Sequence, residues 1–508
     1  MMPRSSENRF DVIIIGSGLG GLMCAQILGM HGYKVCVLEK NRQFGGNLQI
    51  FSRDKCIFDT GVHYLGGMDK GQNLYQCFKY VGIIDKLKLK RMDSEAFDVI
   101  TFSDDEKEYW HGIGYDNYQK NLVKDFPEEA ENIKAYCDGL QEICNLFPVY
   151  YLDSSTKDYY VNKYFHISAK AFIESFTSNK RLQQVLGATN LLYAGHNSSP
   201  AYMHALIINS YIESAWRCVN GGSQIALELV KAIKADGGVV KNYAEVKKII
   251  VEDRAVTAVE LENGESYYAD RFISNLHPKI TIDMVGGGVF RKSFENRIKQ
   301  IENTPSMFTI HIVLKPNRFK YLNRNIYHYK NENVWETMNY TESSWPESYM
   351  LLTPATTKSD EYADSITVMT YMSFSEMEKW KDTYNTMSDE RDRGEGYEAF
   401  KTRKAEKLID EIEKKIPEIR AITKTYYTSS PLTYRDYINT PEGCAYGVNR
   451  DCENPLKSYL SPRTKIDNLY LTGQSLNMHG VLGVSVGAII TCSQIIDGKK
   501  LIDSIREA

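Results

Sequence analysis

Residues 10–39 read FDVIIIGSGLGGLMCAQILGMHGYKVCVLE, and this stretch decides the fold. Phe10 to Ile15 is a short apolar run of the kind that forms a buried parallel strand. Gly16-Ser17-Gly18-Leu19-Gly20-Gly21 follows at once. Leu22 to Met30 then reads as a helix and Lys34 to Glu39 as a second strand. The unit is a βαβ with G-x-G-x-x-G at its first turn. Gly16 permits the tight turn, Gly18 lets a pyrophosphate approach the backbone, and Gly21 lets helix and strand pack closely. The helix N-terminus offers free N–H groups and a positive dipole end to phosphates. Glu39 ends the second strand, where a carboxylate can accept from a ribose diol. The alternative is a glycine-rich turn that holds no ligand.

The rest of the composition narrows the class. The chain has 508 residues, 43% hydrophobic and 25% charged, so two or three domains with ordinary cores are expected. With 61 Lys+Arg against 65 Asp+Glu the net charge is −4, which gives no field to attract nucleic acid. Ten cysteines stand at 24, 36, 56, 77, 137, 144, 218, 444, 452 and 492, none in C-x-x-C spacing. Zinc-ribbon and dithiol readings fall away and no metal site is expected; buried thiols in a reducing compartment fit better. Met1 to Arg9 has no apolar core, so no signal peptide is expected and the location read from the sequence is cytoplasmic. Val481 to Ile496 is apolar but interrupted by Gly483, Ser485, Gly487 and Thr491, too short and too polar for a membrane span. The 35 tyrosines suit an apolar cavity with a few hydroxyls, or a membrane interface.

Six residues past Glu39 comes Gly45-Gly46, in EKNRQFGGN. That pattern resembles the FAD-binding superfamily of amine oxidases and carotenoid desaturases. Many members carry a basic residue two after the acid. Here that position is Asn41, flanked by Lys40 and Arg42. Three further stretches narrow the likeness: IFDTGVHYLG at 57–66, PLTYRDYINTPEGCAYG at 431–447 and NLYLTGQSLNMHGVLGVSVG at 468–487. Together they resemble the retinol saturase branch of the phytoene desaturase and carotenoid isomerase family. The matching pieces run from residue 10 to about 495.

The resemblance implies an α/β chain: a Rossmann-type FAD-binding domain, amine-oxidase-like, with an inserted α+β substrate domain. It implies an FAD domain built from 8–95, 218–300 and 455–508, and a substrate domain from 96–217 and 301–454. The flavin site would comprise Gly16, Ser17, Gly18, Leu19, Gly20, Gly21, Glu39, Lys40, Gly45, Gly46, Asn47, Thr60, Gly61 and Val62. To these it adds the Val246 backbone at the adenine, and Gly473, Gln474, Gly480, Val481 and Gly483. The last group also reads directly from the residues. Leu469 to Thr472 is a short strand closed by Gly473-Gln474, and a loop from Ser475 to Gly483 leads into a helix to about Ile496. Its N-terminus suits the pyrimidine end of a flavin, which turns negative on reduction.

Gly221-Gly222-Ser223 opens a helix with Ile225, Leu229, Val230 and Ile233 on one face and Ser223 as its cap. Strands follow at 239–251, 255–261 and 266–274, with a tight turn at Asn263-Gly264. The first insert is rich in aromatics: Tyr136, Phe147, Tyr150, Tyr151, Tyr159, Tyr160, Tyr164, Phe165, Phe172 and Phe176. Core packing accounts for most of these; a fraction lining an apolar tunnel is the other reading. Lys86, Lys88, Lys90 and Arg91 read as a solvated basic face, with anionic lipid as the minority alternative. Residues 395–416 read as a surface amphipathic helix.

The expected function is an FAD-dependent oxidoreductase acting on a carbon–carbon double bond of a long apolar polyene or isoprenoid, in the manner of retinol saturase. A carotenoid-type desaturase or isomerase, an amine oxidase and a non-enzymatic prenyl-binding protein are the rivals. No second dinucleotide motif is present, so NAD(P)H enters only as a candidate transient donor. The apolar substrate implies peripheral membrane contact; oligomeric state is not legible. Candidates for the proton step are His63, Tyr64, His479, Tyr434 and Tyr446. For His63 the competing role is structural, a hydrogen bond to a loop carbonyl that holds the Asp59–Tyr64 turn.

Overall fold

A computed structural model describes residues 8–155, 163–385 and 393–508. The opening run forms a strand at Arg9–Ile15, flanked in parallel by Val35–Leu38 and by Ser266–Ser274. Val239–Lys241 extends this sheet in parallel at one edge. On the other side Ser266–Ser274 also pairs in parallel with Leu469–Leu471 and antiparallel with Ala255–Leu261, beyond which lies Val246–Glu252. Three distant stretches of chain therefore close one Rossmann-type sheet.

The first helix, Leu19–Met30, has ten of its twelve residues buried, which is what a helix apolar on every side requires. It lies against helices Ser223–Ala235 and Gly480–Cys492. Gly21 permits the fit: a Cβ there would stand 2.3 Å from the Gly16 carbonyl oxygen and 3.0 Å from Ile14 Cγ2.

A second seven-stranded sheet runs in the order Thr423–Ser429, Ser306–Leu314, Ser365–Met372, Ser348–Leu352, Asn325–Tyr329, Asp98–Phe102, Asp105–His111. It is antiparallel except where Asp98–Phe102 meets Asn325–Tyr329. A small sheet of Leu65–Gly66, Ala215–Cys218 and Leu89–Arg91 lies beside it in sequence and carries Arg217.

Several boundaries differ from the sequence reading. The first helix starts at Leu19 rather than Leu22, because Leu22 N already donates to the Gly18 carbonyl. The expected strand 239–251 is two strands. Tyr243 adopts a left-handed φ of 53°, Ala244 N donates to the Glu39 carbonyl, and the chain crosses from one edge of the sheet to the other. Ser223 is the first helical residue and not the cap; Gly222 holds that position, its N–H donating to Asp59 Oδ1 at 2.6 Å. The helix expected to reach Ile496 runs Gly480–Cys492 and ends short of it, in turns that return Ile495 N and Ile496 N to the Cys492 carbonyl. The surface helix spans Glu395–Glu413.

In the first insert Tyr136, Tyr150, Tyr164 and Phe172 are buried, and the rings pack on one another, as Phe172 on Phe176 at 5.0 Å. Tyr159 and Tyr160 lie outside the described residues. Lys90 and Arg91 pair with Asp360 and Asp69 at the surface. All ten cysteines are buried and free. No helix among the described residues is long and apolar enough to cross a membrane, and none of their His, Cys, Asp and Glu side chains cluster as metal ligands.

Candidate active site

A cavity of about 1980 Å³, counting its open mouth, lies where the two large sheets meet. Its wall is continuous from the glycine loops of the first sheet to the strands of the second.

One end is built from the strand ends of the Rossmann sheet. Gly16, Gly18, Leu19, Gly20, Glu39 and Lys40 line it, with Gly45, Gly46 and Asn47 from the second glycine loop. The two loops bridge at Gly18 and Gly45. Ser17 ties them: its hydroxyl donates to Glu39 Oε2 at 2.6 Å and accepts from Gly45 N at 3.1 Å. Ser17 is fully buried and does not face the cavity, and Gly21 is likewise spent on packing. Glu39 accepts three protein hydrogen bonds, from Ser17 N, Ser17 Oγ and Asn41 N. A carboxylate offers about four acceptor sites, so capacity for one hydroxyl of a ribose is left. At the departure from the family pattern the polar heads are engaged by backbone carbonyls. Asn41 Nδ2 donates to the Tyr437 carbonyl and Lys40 Nζ to that of Asp436.

Thr60, Gly61, Val62, Val246, Gly473, Gln474, Gly480 and Val481 also line the cavity. Asn47 Nδ2 donates to Gln474 Oε1 at 3.1 Å, joining the second glycine loop to the last strand. Gly473 has φ +99° and Gly480 φ +73°, both left-handed. Gly483 is not on the wall; a Cβ there would press on Met478 Cβ at 2.7 Å. Asn275 does belong to the site, though the motif reading did not include it. Its side chain stands where Cβ atoms added to Gly18, Gly20 or Gly473 would go, at 2.6–2.8 Å. The signal was present: Asn275 directly follows the strand that neighbours Arg9–Ile15.

The other end is apolar. Met307, Met350 and Met369 come from adjacent strands of the second sheet, joined by Leu191, Leu192 and Val484. The acidic side chains on the wall, Glu39 and Glu245, both lie at the glycine-rich end with Val246.

The five candidates for proton chemistry separate by their hydrogen bonds. His479 is buried off the cavity wall, and its Nε2 meets the Leu192 carbonyl at 3.1 Å. Burial holds its pKa down at about 4. Tyr446 and Tyr434 line the cavity, but their hydroxyls are engaged by the Leu191 carbonyl and Thr309 Oγ1. Burial pushes the Tyr434 phenol up to about 12. Tyr64 donates to Asp98 Oδ2 at 3.0 Å and meets Tyr327 Oη at 2.7 Å. His63 faces the cavity with no protein hydrogen bond among the described residues, so the expected tether to a loop carbonyl is not made. Burial, and then the Arg217 charge, lower its pKa to about 4, so at neutral pH it is an uncharged imidazole.

Beneath Tyr64 lies a polar cluster absent from the sequence reading. Asn325 Nδ2 donates to Asp98 Oδ1, and Arg217 NH2 donates to Asn325 Oδ1, each at 2.8 Å. Asp98 is fully buried and its pKa is pushed up to about 7 by that burial, against the pull of Asn325, Tyr64 and Arg217.

Sheet order, glycine loops and strand-end carboxylate together define a dinucleotide-binding Rossmann-type fold. A family model described as an NAD(P)-binding Rossmann-like domain matches residues 14–81. A cyclohexylamine oxidase from Brevibacterium oxydans has the same fold, with TM-score 0.60 and 13% identity over 98% of this chain and 99% of that one. An all-trans-retinol 13,14-reductase of Macaca fascicularis is 24% identical over 98% of this chain and 87% of its own length. A chloroplastic prolycopene isomerase of Arabidopsis thaliana is 24% identical over 96% and 83%. Along nearly its whole length the chain is therefore similar to retinol 13,14-reductases and prolycopene isomerases.

Proposed function

We propose that the protein is an FAD-dependent oxidoreductase that reduces one carbon–carbon double bond of a long apolar polyene. The observation that carries this is the continuity of the cavity from a glycine-and-carboxylate end to a methionine-lined end. The glycine end suits FAD because the cradle is shaped for close backbone approach and Glu39 retains an acceptor site. A flavin bound there supplies two-electron hydride chemistry. The wall residues of the first glycine loop (Gly16, Gly18, Leu19 and Gly20), with 45–47, 60–62, 246, 473–475 and 480–481, would hold it. The second sheet and the helices of 96–217 and 301–454 form the substrate side. Methionines suit a flat, polarizable chain because their thioethers adapt to its shape and favour π systems. An amine is a poor fit: the apolar end presents no carboxylate to its charge.

What the chain itself contributes is placement. The Tyr64 ring is fixed by Asp98 and Tyr327, and Leu191, Leu192 and the methionines exclude water from one double bond. The two electrons would come from NAD(P)H or another donor in solution. Peripheral contact of a cytoplasmic protein with a membrane gives the polyene its way in. The names of the similar proteins support reduction first and isomerisation second. Anaerobic incubation of the reduced protein with a panel of polyene alcohols and hydrocarbons tests this through product mass. A gain of two hydrogens supports reduction. An unchanged mass with altered geometry means isomerisation, and no product from any polyene rejects the reading.

A further inference from the structure

Among the polar side chains on the cavity wall, two that face its apolar half have no protein hydrogen bond among the described residues. One is His63, uncharged at neutral pH. The other is Tyr211, in the last turn of helix Ala201–Glu213. Three tyrosines at this wall have their hydroxyls engaged by protein: Tyr64 with Asp98 and Tyr327, Tyr434 with Thr309, Tyr446 with Leu191.

The position of Tyr211 is set by its neighbours. Its ring lies on that of Tyr64, centroids 4.3 Å apart with an interplanar angle of 33°. Tyr64 is in turn held by the Asp98–Asn325–Arg217 chain, so a series of buried hydrogen bonds fixes the platform under Tyr211. The platform is joined to the cofactor end by very little chain. A Cβ on Gly61 would touch Asn47 of the second glycine loop at 3.0 Å, and Tyr64 follows three residues later. Three residues span about 10 Å at most. Tyr211 therefore stands on the wall within a short reach of the cofactor loops. Burial, then Tyr446 and Asp98, raise its pKa well above the ordinary tyrosine value, so its proton is present throughout the physiological range.

We propose that Tyr211 is the proton donor of the double-bond reduction, and that Tyr64, with Asp98 and Tyr327 behind it, is the residue that positions its ring. The inference rests on the reductase reading above. The step balances. The π bond of the alkene breaks. A hydride, with its electron pair, comes from the reduced flavin, which is oxidised by two electrons, and forms one C–H bond. The Tyr211 Oη proton forms the other, and the tyrosinate left behind recovers a proton from water entering the cavity. A weak acid suffices because the carbon that accepts the proton carries developing carbanion charge in a site shielded from water.

The test uses Tyr211→Phe, which removes one hydroxyl without a protein partner and keeps the ring. The flavin-loaded variant should bind a polyene alcohol within ~2-fold of wild type, read by the shift of the polyene's own absorbance with the flavin oxidised. Its reduced flavin should be reoxidised by that polyene at least ~10²-fold more slowly than in wild type. In D2O the slow product should also lose facial selectivity at the protonated carbon, which wild type should show. Tyr64→Phe should give a smaller loss with selectivity kept, because the ring of the platform remains. Wild-type rate and selectivity in Tyr211→Phe would overturn this inference and leave the reductase reading standing. A wild-type protein whose reduced flavin is reoxidised by no polyene would overturn both.

Discussion

Replacing Asp98 with Asn isolates the buried cluster beneath Tyr64. Asp98 is fully buried, and its carboxyl titrates at about 7 in the folded protein against 3.8 when exposed. Between those values the folded chain binds a proton that the unfolded chain does not. The contribution of this group is therefore fully present below pH 3.8 and is lost as pH rises through about 7. A shift of about 3 pKa units corresponds to ~4 kcal/mol of stability at most. Asn at this position can still accept from Asn325 and can donate to Tyr64 Oη, but it does not titrate. On going from pH 4 to pH 8 the stability of Asp98→Asn relative to wild type should shift in the variant's favour by up to ~4 kcal/mol. Urea unfolding at half-unit pH steps, followed by tryptophan fluorescence, measures the gap directly. Other titrating groups, including Asp59, whose pKa burial also raises to about 7, are common to both proteins and cancel. A gap that stays constant within ~0.5 kcal/mol across that range would refute the assignment of a neutral, buried Asp98.

Gly21→Ala forces a Cβ to 2.3 Å from the Gly16 carbonyl, so the first helix must move by more than half an ångström; the protein should lose ~1–3 kcal/mol and purify without flavin, read from its visible spectrum. Gly18→Val should also purify without flavin while melting closer to wild type, since its Cβ meets only the Asn275 side chain; full flavin content in either variant contradicts the cradle. His63→Gln should bind flavin normally and lose less than ~10-fold in turnover at pH 7, with an unaltered profile between pH 6 and 8, because the imidazole is already uncharged there; a loss of ~10² or more with a flattened profile would make His63 the acid. Salt or mild detergent should release the protein from membranes, and resistance to both would contradict peripheral attachment.

The Rossmann half was readable because its signals are local. Apolar run, glycines and terminal acid sit within thirty residues, and each glycine's role is a backbone role. The last strand and helix were readable for the same reason, one turn apart. Boundaries moved where a distant partner decided them, as at 242–245, where the chain is carried over the end of the Glu39 strand. Several functional side chains were harder. The motif points to Ser17 as a cofactor contact, but its hydroxyl is spent on Glu39 and Gly45. Gly483 was read the same way and packs on Met478. Asn275 is marked only by its place, directly after the strand beside Arg9–Ile15. Tyr211 is one of 35 tyrosines, and nothing in its neighbourhood of sequence marks it. Its distinction is an unpaired hydroxyl on a cavity wall, and that follows from which of its competitors found partners across the fold. Asp98, Asn325 and Arg217 are likewise brought together from three strands. Hydrophobic periodicity places such residues on strands without saying which polar groups will meet.

If one cavity holds a flavin and a polyene in reacting contact, a polyene must reoxidise the reduced flavin without oxygen. The purified protein, photoreduced and mixed with an all-trans polyene alcohol in the absence of oxygen, should regain the oxidised flavin spectrum. One double bond should be saturated for each flavin reoxidised, read from the blue shift of the polyene absorbance. A flavin that stays reduced in the presence of excess polyene, or that reoxidises without consuming a double bond, would contradict the account.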